Sequence, residues 1–598
     1  MATPVRATLP AMLALLRLQA RVSRPLSAAV VAAAVLNGLL GPATVLATGA
    51  VAGAVSAGQG VVLAVVLLGA AFAAQRLLEP IQSELATALT DKVQESLDDR
   101  VTAVLADPPG LAHLEDPAVL DGVARAQGAM SGSSPARATG ALAGTIGSRL
   151  RAGLSLAIVG AWHWWALFPL IAAYSVSYAA SRWHWQQVTQ VIYGRTEALR
   201  RSYYLRGLAL GARAAKETRV FGLAGWLVDR YRDRWLAVMR EVWGKRREGW
   251  LAALGVFLLL GAVELGLLLL AGREAVSGRI GAGQIVTLIG ALAGASLFAE
   301  FSDGQYQFSQ AITALGELES LETAAARSSG VTGGSGEPGQ RPRVAIRFEQ
   351  VGFTYPGRER PVFEGLDLEL EAGRSLAVVG ENGAGKTTFV KLLARLYDPQ
   401  SGRITVDGVD LRQLEPRAWQ RRVAAVFQDF TRFELSAHDN VAFGAIEQQG
   451  DRSAVERAAE RAGAAAVIAR LPGGWDTPLS RELEGGAELS EGEWQRLALA
   501  RALRAVEAGA GVLVLDEPTA SLDVRGEAEV YERFLELTRG VTTIVISHRF
   551  STVRRADRIV VLEEGRVIED GSHDQLVQAG GRYATMYRLQ AARFGAEG

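Results

Sequence analysis

The chain has 598 residues, 49% of them hydrophobic and 21% charged, with a mean hydropathy of +0.14. That mixture points to a membrane part joined to a soluble part, and the length implies two to four domains. Lys+Arg and Asp+Glu balance at 63 each, which removes a global basic field for nucleic acid, and the lack of cysteine removes disulfides, thiolate metal sites and cysteine catalysis.

Residues 1–25 spread Arg6, Arg17, Arg21 and Arg24 through an apolar patch with no cleavage pattern after it. This predicts an amphipathic helix on the cytoplasmic membrane face, not a signal peptide. Six apolar runs of spanning length follow, at 27–47, 61–78, 138–159, 162–180, 250–271 and 282–298, the third interrupted by Arg149 and Arg151. Two long polar regions, about 79–137 and 181–248, lie between them. Both carry arginine, most densely the second (Arg195, Arg200, Arg201, Arg206, Arg213 and Arg219), whereas the short connection 49–60 carries no charge. The positive-inside rule places the N-terminus, both long regions and the C-terminal half in the cytoplasm of a multi-pass membrane protein. Trp162, Trp164 and Trp165 are expected to form an interfacial belt. The predicted organisation is a six-helix all-α transmembrane domain at 1–325, a flexible Gly/Ser-rich linker at 326–342 and an α/β domain at 343–598.

In that last part, the apolar run 375–379 leads into GENGAGKTT and then a helical pattern at 389–397. Strand, Gly-rich loop and helix in this order make a phosphate-binding P-loop. Gly380, Glu381, Asn382, Gly383, Ala384 and Gly385 turn backbone N–H groups toward phosphate, Lys386 reaches the β/γ-phosphates, and Thr387, followed by Thr388, offers a hydroxyl to Mg²⁺. The expected ligand is a nucleoside triphosphate. A second apolar strand, GVLVLDEP at 511–518, ends in two acids. Asp516 is expected to hold Mg²⁺ directly or through water, and Glu517 to polarise the attacking water as general base.

With these motifs in place the whole chain resembles the ATP-binding cassette family, in the exporter form that fuses a six-span domain ahead of its nucleotide-binding domain. The resemblance implies that Tyr355 in GFTYPG stacks on adenine, and that Gln428 in AAVFQDF contacts Mg²⁺ and the attacking water. It implies that His548 in IVISHR contacts the γ-phosphate. It implies that the signature LSEGEWQRLALARAL, with Ser490 and Gly492, caps ATP held by a partner subunit, and that Asp523 in ASLD lies at the dimer interface. It further implies coupling helices near 113–126 and 216–226, ATP and Mg²⁺ as cofactors, and a homodimer or a heterodimer with a second half-transporter, in contact with membrane lipid and not with nucleic acid.

The function expected on this basis is ATP-driven export of a peptide, natural product or lipid-like amphiphile across the cytoplasmic membrane of a bacterium. An importer on the same scaffold, or a membrane ATPase that regulates and moves nothing, are the alternatives. One departure stands out against the family's usual LSGGQ: Glu491 replaces the first glycine and Glu493 the glutamine. A carboxylate about 4 Å from a γ-phosphate is repelled by roughly 4 kcal/mol per unit pair at an effective dielectric near 20. The expectation is a slow ATPase that Glu491→Gly speeds, as in one half of an asymmetric heterodimer.

Overall fold

In the computed structural model the described residues are 8–126, 136–194, 196–211, 214–299, 311, 315–316, 318–325, 330–339, 341–517, 538–547 and 549–595. They form two compact units, one of residues 1–104 and 118–323 and one of residues 105–117 and 324–598.

The first unit is helical. The Arg-containing N-terminal stretch forms α1 (Thr8–Val22), and extended Ser23 separates it from α2 (Arg24–Ala57). Then come α3 (Val61–Ala106), α4 (Arg137–Trp162), α5 (Leu167–Gly194), α6 (Ala224–Val276) and α7 (Ala282–Ala295). The six apolar runs fall on α2 to α7 in order, the fourth beginning at the end of α4 and the turn Trp164–Ala166 before α5, and the last ending in the short turn Ser296–Phe298. By length and composition, α2, α3 and α6 are apolar enough to cross a membrane. Arg149 and Arg151 lower α4, and the polar second half of α5 (SRWHWQQVTQ) lowers that helix. At 1.5 Å per residue the 46 residues of α3 and the 53 of α6 run to about 70 and 80 Å, far beyond a hydrocarbon layer of about 30 Å.

Small residues let α2, α4 and α7 meet backbone to backbone. A Cβ on Gly38 would stand 2.8 Å from the Gly147 carbonyl oxygen, and one on Gly283 would stand 2.5 Å from that of Gly49. Such close approach is the usual source of helix association in lipid, where apolar burial alone gives no preference for a neighbouring helix.

The second unit is α/β. An antiparallel sheet, in spatial order β2-β1-β4-β5, is built from β1 (Ala345–Phe353), β2 (Phe363–Glu371), β4 (Ser401–Val406) and β5 (Val409–Asp410). The larger sheet, in order β10-β9-β3-β8-β7-β6, joins β3 (Ser375–Gly380), β6 (Val423–Val426), β7 (Val512–Asp516), β8 (Thr542–Ile546), β9 (Arg558–Glu563) and β10 (Arg566–Gly571). All its pairs are parallel except β9 with β10. Every residue of β7 and β8 is buried, as continuous apolar runs in a parallel sheet require. Two helices that matter for the site are α8 (Lys386–Leu393) and α9 (Glu491–Glu507).

Residues 105–117, inside the first long polar region, are part of this unit. Leu111 N donates to Leu396 O at 3.0 Å, Gln420 Nε2 to Pro109 O at 2.8 Å, and Arg417 Nη2 to Asp107 O at 2.8 Å. Ala112 is buried in the same core as Tyr397 and Trp419.

The Gly/Ser-rich linker is corrected by the structure. Through 330–339 it is fixed to the second unit and not free. Thr332 donates from both N and Oγ1 to Asp398 Oδ2, each at 2.7 Å, and Gly336 N donates to Gln413 O at 2.9 Å while its carbonyl accepts from Glu415 N at 2.7 Å. The glycine that reads as flexibility serves close approach here: a Cβ on Gly334 would lie 2.2 Å from Leu414 O. Arg395, 1% exposed, ties the arrangement together through Asp398 Oδ1 (3.1 Å), Leu414 O (2.6 Å) and Thr332 O (2.7 Å). Arg395→Ala is expected to cost about 3–5 kcal/mol, since it strands buried acceptors. It should also expose 330–339 to protease, measured as faster cleavage by proteinase K and a lower melting temperature of the full chain.

Candidate nucleotide site

Parallel order places the chemistry. In the series β3-β8-β7-β6 all four strands point the same way, so their C-terminal ends deliver the Gly-rich loop, Glu517 and Gln428 to one edge of the sheet. Ligands of open α/β sheets bind at that edge. His548 follows β8 there by sequence, and it and Asp523 lie outside the described residues.

The loop is built as its glycines require. Gly385 has φ +102°, and a Cβ there would meet the Phe363 ring at 2.8 Å. At Gly380, where β3 ends, a Cβ would lie 2.3 Å from Leu562 O. Residues 381–385 turn between strand and helix, Ala384 is buried, and Glu381 is ion-paired with Arg582. Lys386, the first residue of α8, is buried and not a solvent-side loop residue as its position in the motif suggests. Its Nζ donates to Gly380 O at 2.8 Å and Glu381 O at 2.9 Å, which curls the ammonium back over the loop. Burial lowers its pKa, opposed by the nearby charges of Glu517 and Asp516.

Asp516 ends β7, 2% exposed. Burial pushes its carboxyl up to about 6, Glu517 adds to the rise, and the Thr387 hydroxyl beside it acts the other way. Among the described residues its buried Oδ2 has no hydrogen-bond partner. A buried anionic oxygen in that condition, next to a hydroxyl, suits a hard cation. Among the described residues no group of three or more His, Cys, Asp or Glu could hold a metal by itself. That fits Mg²⁺, which takes one or two protein oxygens and completes its shell with phosphate and water.

Glu517 adopts φ +44°, a left-handed conformation that costs a non-glycine residue of order 1 kcal/mol. Its N–H donates to Ile546 O at 2.9 Å, and its Oε2 accepts from Gln428 Nε2 at 3.0 Å. The two side chains come from positions 89 residues apart and meet only because β6 and β7 are neighbours. Tyr355 is half-buried. Its hydroxyl hydrogen-bonds Thr388 Oγ1 at 3.1 Å, and Arg358 and Lys391 lie 5.5 and 5.2 Å from its ring centroid. A base stacking on this ring meets two cations already there, neither of which the motif reveals.

The signature departs from the sequence expectation. Ser490 is the N-cap of α9, and its N and Oγ donate to Glu493 Oε2 at 2.9 and 2.8 Å. Glu493 therefore closes a capping box. These hydrogen bonds from Ser490, with Arg470 at 2.8 Å, hold its carboxyl below the usual range. Glu491 does not stand as an uncompensated charge: its Oε1 is 3.7 Å from Arg432 Nη2. Nothing in the sequence marks Arg432 or Arg470 for this work. They reach the signature across 59 and 23 positions through tertiary contacts. In the free chain such an exposed pair contributes at most about 1 kcal/mol. Near a bound triphosphate Arg432 should matter more. Arg432→Ala is expected to slow hydrolysis roughly tenfold, and by less than about twofold in a Glu491→Gly background. Equal slowing in both backgrounds, in steady-state phosphate release, would exclude the pairing as the cause.

A Gly-rich loop on Lys386, an acid-tipped buried strand and a glutamine facing the second acid define a P-loop nucleotide-binding protein. Residues 363–520 match the family model described as ABC transporter. ATP-dependent lipid A-core flippases of Nitrosococcus oceani and Burkholderia orbicola are 44% and 42% identical over 251 and 257 residues, spanning 42% and 43% of this chain. The aligned part covers 41% and 42% of those relatives' own length, so the chain matches about two fifths of each. A bacterial Atm1-family ABC exporter, solved with ATP bound, has a similar fold at TM-score 0.74 and 26% identity, covering 94% of this chain and 98% of that one. By these matches residues 363–520 carry the ABC transporter domain, and the chain shares with the Atm1-family structure the exporter arrangement of a helical domain fused ahead of it.

Proposed function

We propose that the chain is one half of a dimeric, ATP-driven exporter of an amphiphilic substrate. The observation that carries this reading is the 3.0 Å contact of Gln428 with Glu517 at the mouth of the P-loop. ATP enters with its phosphates over 380–388 and its base toward Tyr355. Lys386 exchanges one or both carbonyl partners for phosphate oxygens. Thr387, Asp516 and Gln428 would hold Mg²⁺, which would supply positive charge to screen the phosphates. Glu517 accepts a proton from the attacking water, and the Gln428 amide fixes the carboxylate oxygen that would otherwise swing. His548 is proposed to meet the γ-phosphate.

Ser490 and Gly492 at the start of α9, with Asp523, are proposed to serve ATP held by a second subunit, so the site is half built in one chain. The dimeric reading has further support in the tip around Ala215–Val220, where Val220, Phe221 and Trp226 are exposed by 80, 69 and 58%. That is a large apolar surface for a cytoplasmic loop to leave in water. The arginine-rich second long region supports an orientation with both the N-terminus and the nucleotide domain in the cytoplasm of a bacterial inner membrane. The flippases act on lipid A-core, and the two-fifths match to them does not carry that substrate across. Peptide, natural product and lipid-like amphiphile share the needed chemistry. Import on the same scaffold, or regulation without transport, are the other outcomes of the test. Inside-out vesicles should accumulate a fluorescent amphiphile with ATP and fail to do so with Glu517→Gln. ATP hydrolysis with no ATP-dependent movement in either vesicle orientation would leave a regulator, and accumulation only in right-side-out vesicles an importer.

A further inference from the structure

The apolar stretch of α6 from 255 to 272, GVFLLLGAVELGLLLLAG, holds one ionisable side chain, Glu264. Phe257, Leu258, Leu265 and Leu269 on this helix are exposed. Leu260, Val263, Leu267 and Leu268 form the opposite stripe, packed with Val159, Leu170 and Tyr174 of α4 and α5. Glu264 is only partly exposed and falls on the covered stripe, where the Tyr174 hydroxyl donates to its Oε1 at 3.2 Å. One turn further along α5, Tyr178 stacks under Arg149 of α4, whose guanidinium is 5.3 Å from that ring and 5.2 Å from Phe298. Arg149 also donates to Phe298 O at 3.0 Å.

Two opposite charges thus sit within apolar spans, a turn apart on the same face of α5, and their treatment differs. The guanidinium is spread over two aromatic faces and a carbonyl. The carboxylate has a neutral phenol on one oxygen, and no arginine, lysine or histidine among the described residues is ion-paired with it. An acid in such a stretch is costly to keep and marks a site where something charged passes or binds. We propose that Glu264 and Tyr174 form the recognition end of the substrate site and that the ligand is a lipophilic cation, its charge against Glu264 and its apolar body along the partly exposed Leu260 and Val263. This deepens, and rests on, the exporter reading above.

The probe is radiolabelled tetraphenylphosphonium, with triphenylphosphine oxide as its neutral counterpart, in equilibrium dialysis against the full chain in lipid nanodiscs without ATP. Wild type should bind the cation saturably and at least tenfold more tightly than the neutral compound. Glu264→Gln should weaken cation binding at least tenfold, Glu264→Asp should retain most of it, and Tyr174→Phe should weaken it a few fold. Leu265→Gln, next along on the exposed face, should bind as wild type. Equal affinity of wild type for the charged and neutral compounds would overturn the proposal even if no variant folds, as would unchanged binding by a folded Glu264→Gln. The exporter reading fails separately: wild type that binds the cation but hydrolyses no ATP loses the transport function and keeps the site.

Discussion

Glu517→Gln should bind ATP as tightly as wild type and hydrolyse it at least about a hundredfold more slowly, the range for losing a positioned general base. The change is isosteric, so the Gln428 amide keeps an oxygen to bond at 3.0 Å and the left-handed backbone at φ +44° is undisturbed. The proton acceptor alone is lost. In the proposed dimer, closing two nucleotide domains needs ATP and reopening them needs its hydrolysis, so the variant should also accumulate as a closed dimer with ATP trapped inside. Filter binding and phosphate release separate the two effects. A variant that turns over at half the wild-type rate would remove Glu517 from the role proposed for it.

Lys386→Ala should lower ATP affinity by a hundredfold or more. Two charge-assisted hydrogen bonds to phosphate, at about 1.5–3 kcal/mol each, account for that loss. The buried setting sharpens the expectation. Lys386 is already desolvated and already aimed over the loop by Gly380 O and Glu381 O, so little is spent in ordering it when nucleotide arrives. Alanine removes the charge and a stem packed in the second unit. Isothermal titration should therefore show the affinity loss while the apolar helices keep their helical signal. Near wild-type affinity in the variant would mean that the phosphates sit elsewhere.

The parts of the site legible in the sequence were those whose neighbours in space are also neighbours along the chain. GENGAGKTT contains its own strand end, turn and helix start, and the DE pair after β7 is read the same way. The family resemblance supplied Gln428 a role, but its meeting with Glu517 depends on β6 lying beside β7, which no local pattern states. Arg432 and Arg470 were invisible for the same reason, and without them the acidic signature looked more crippled than the structure makes it. Glycine misled in the linker, because composition cannot separate a residue chosen for freedom from one chosen so that two backbones can touch. The apolar runs located all six helices. They did not foretell that the first long polar region divides, with 105–117 joining the second unit and the residues after it the first.

That division has a bearing on how the molecule is made. Ala112 and Leu111 leave the ribosome long before Leu396 and Trp419, the residues that receive them. At about 5–20 residues per second, the roughly 280 intervening positions take on the order of 15–60 seconds to synthesise. Throughout that interval the segment waits unseated between helices being delivered to the membrane. The nucleotide domain, in turn, emerges without the segment that Leu396, Trp419 and Gln420 receive in the finished fold. Assembly must therefore end on a long-range docking event, and a soluble fragment starting at Arg343 would carry that gap permanently open.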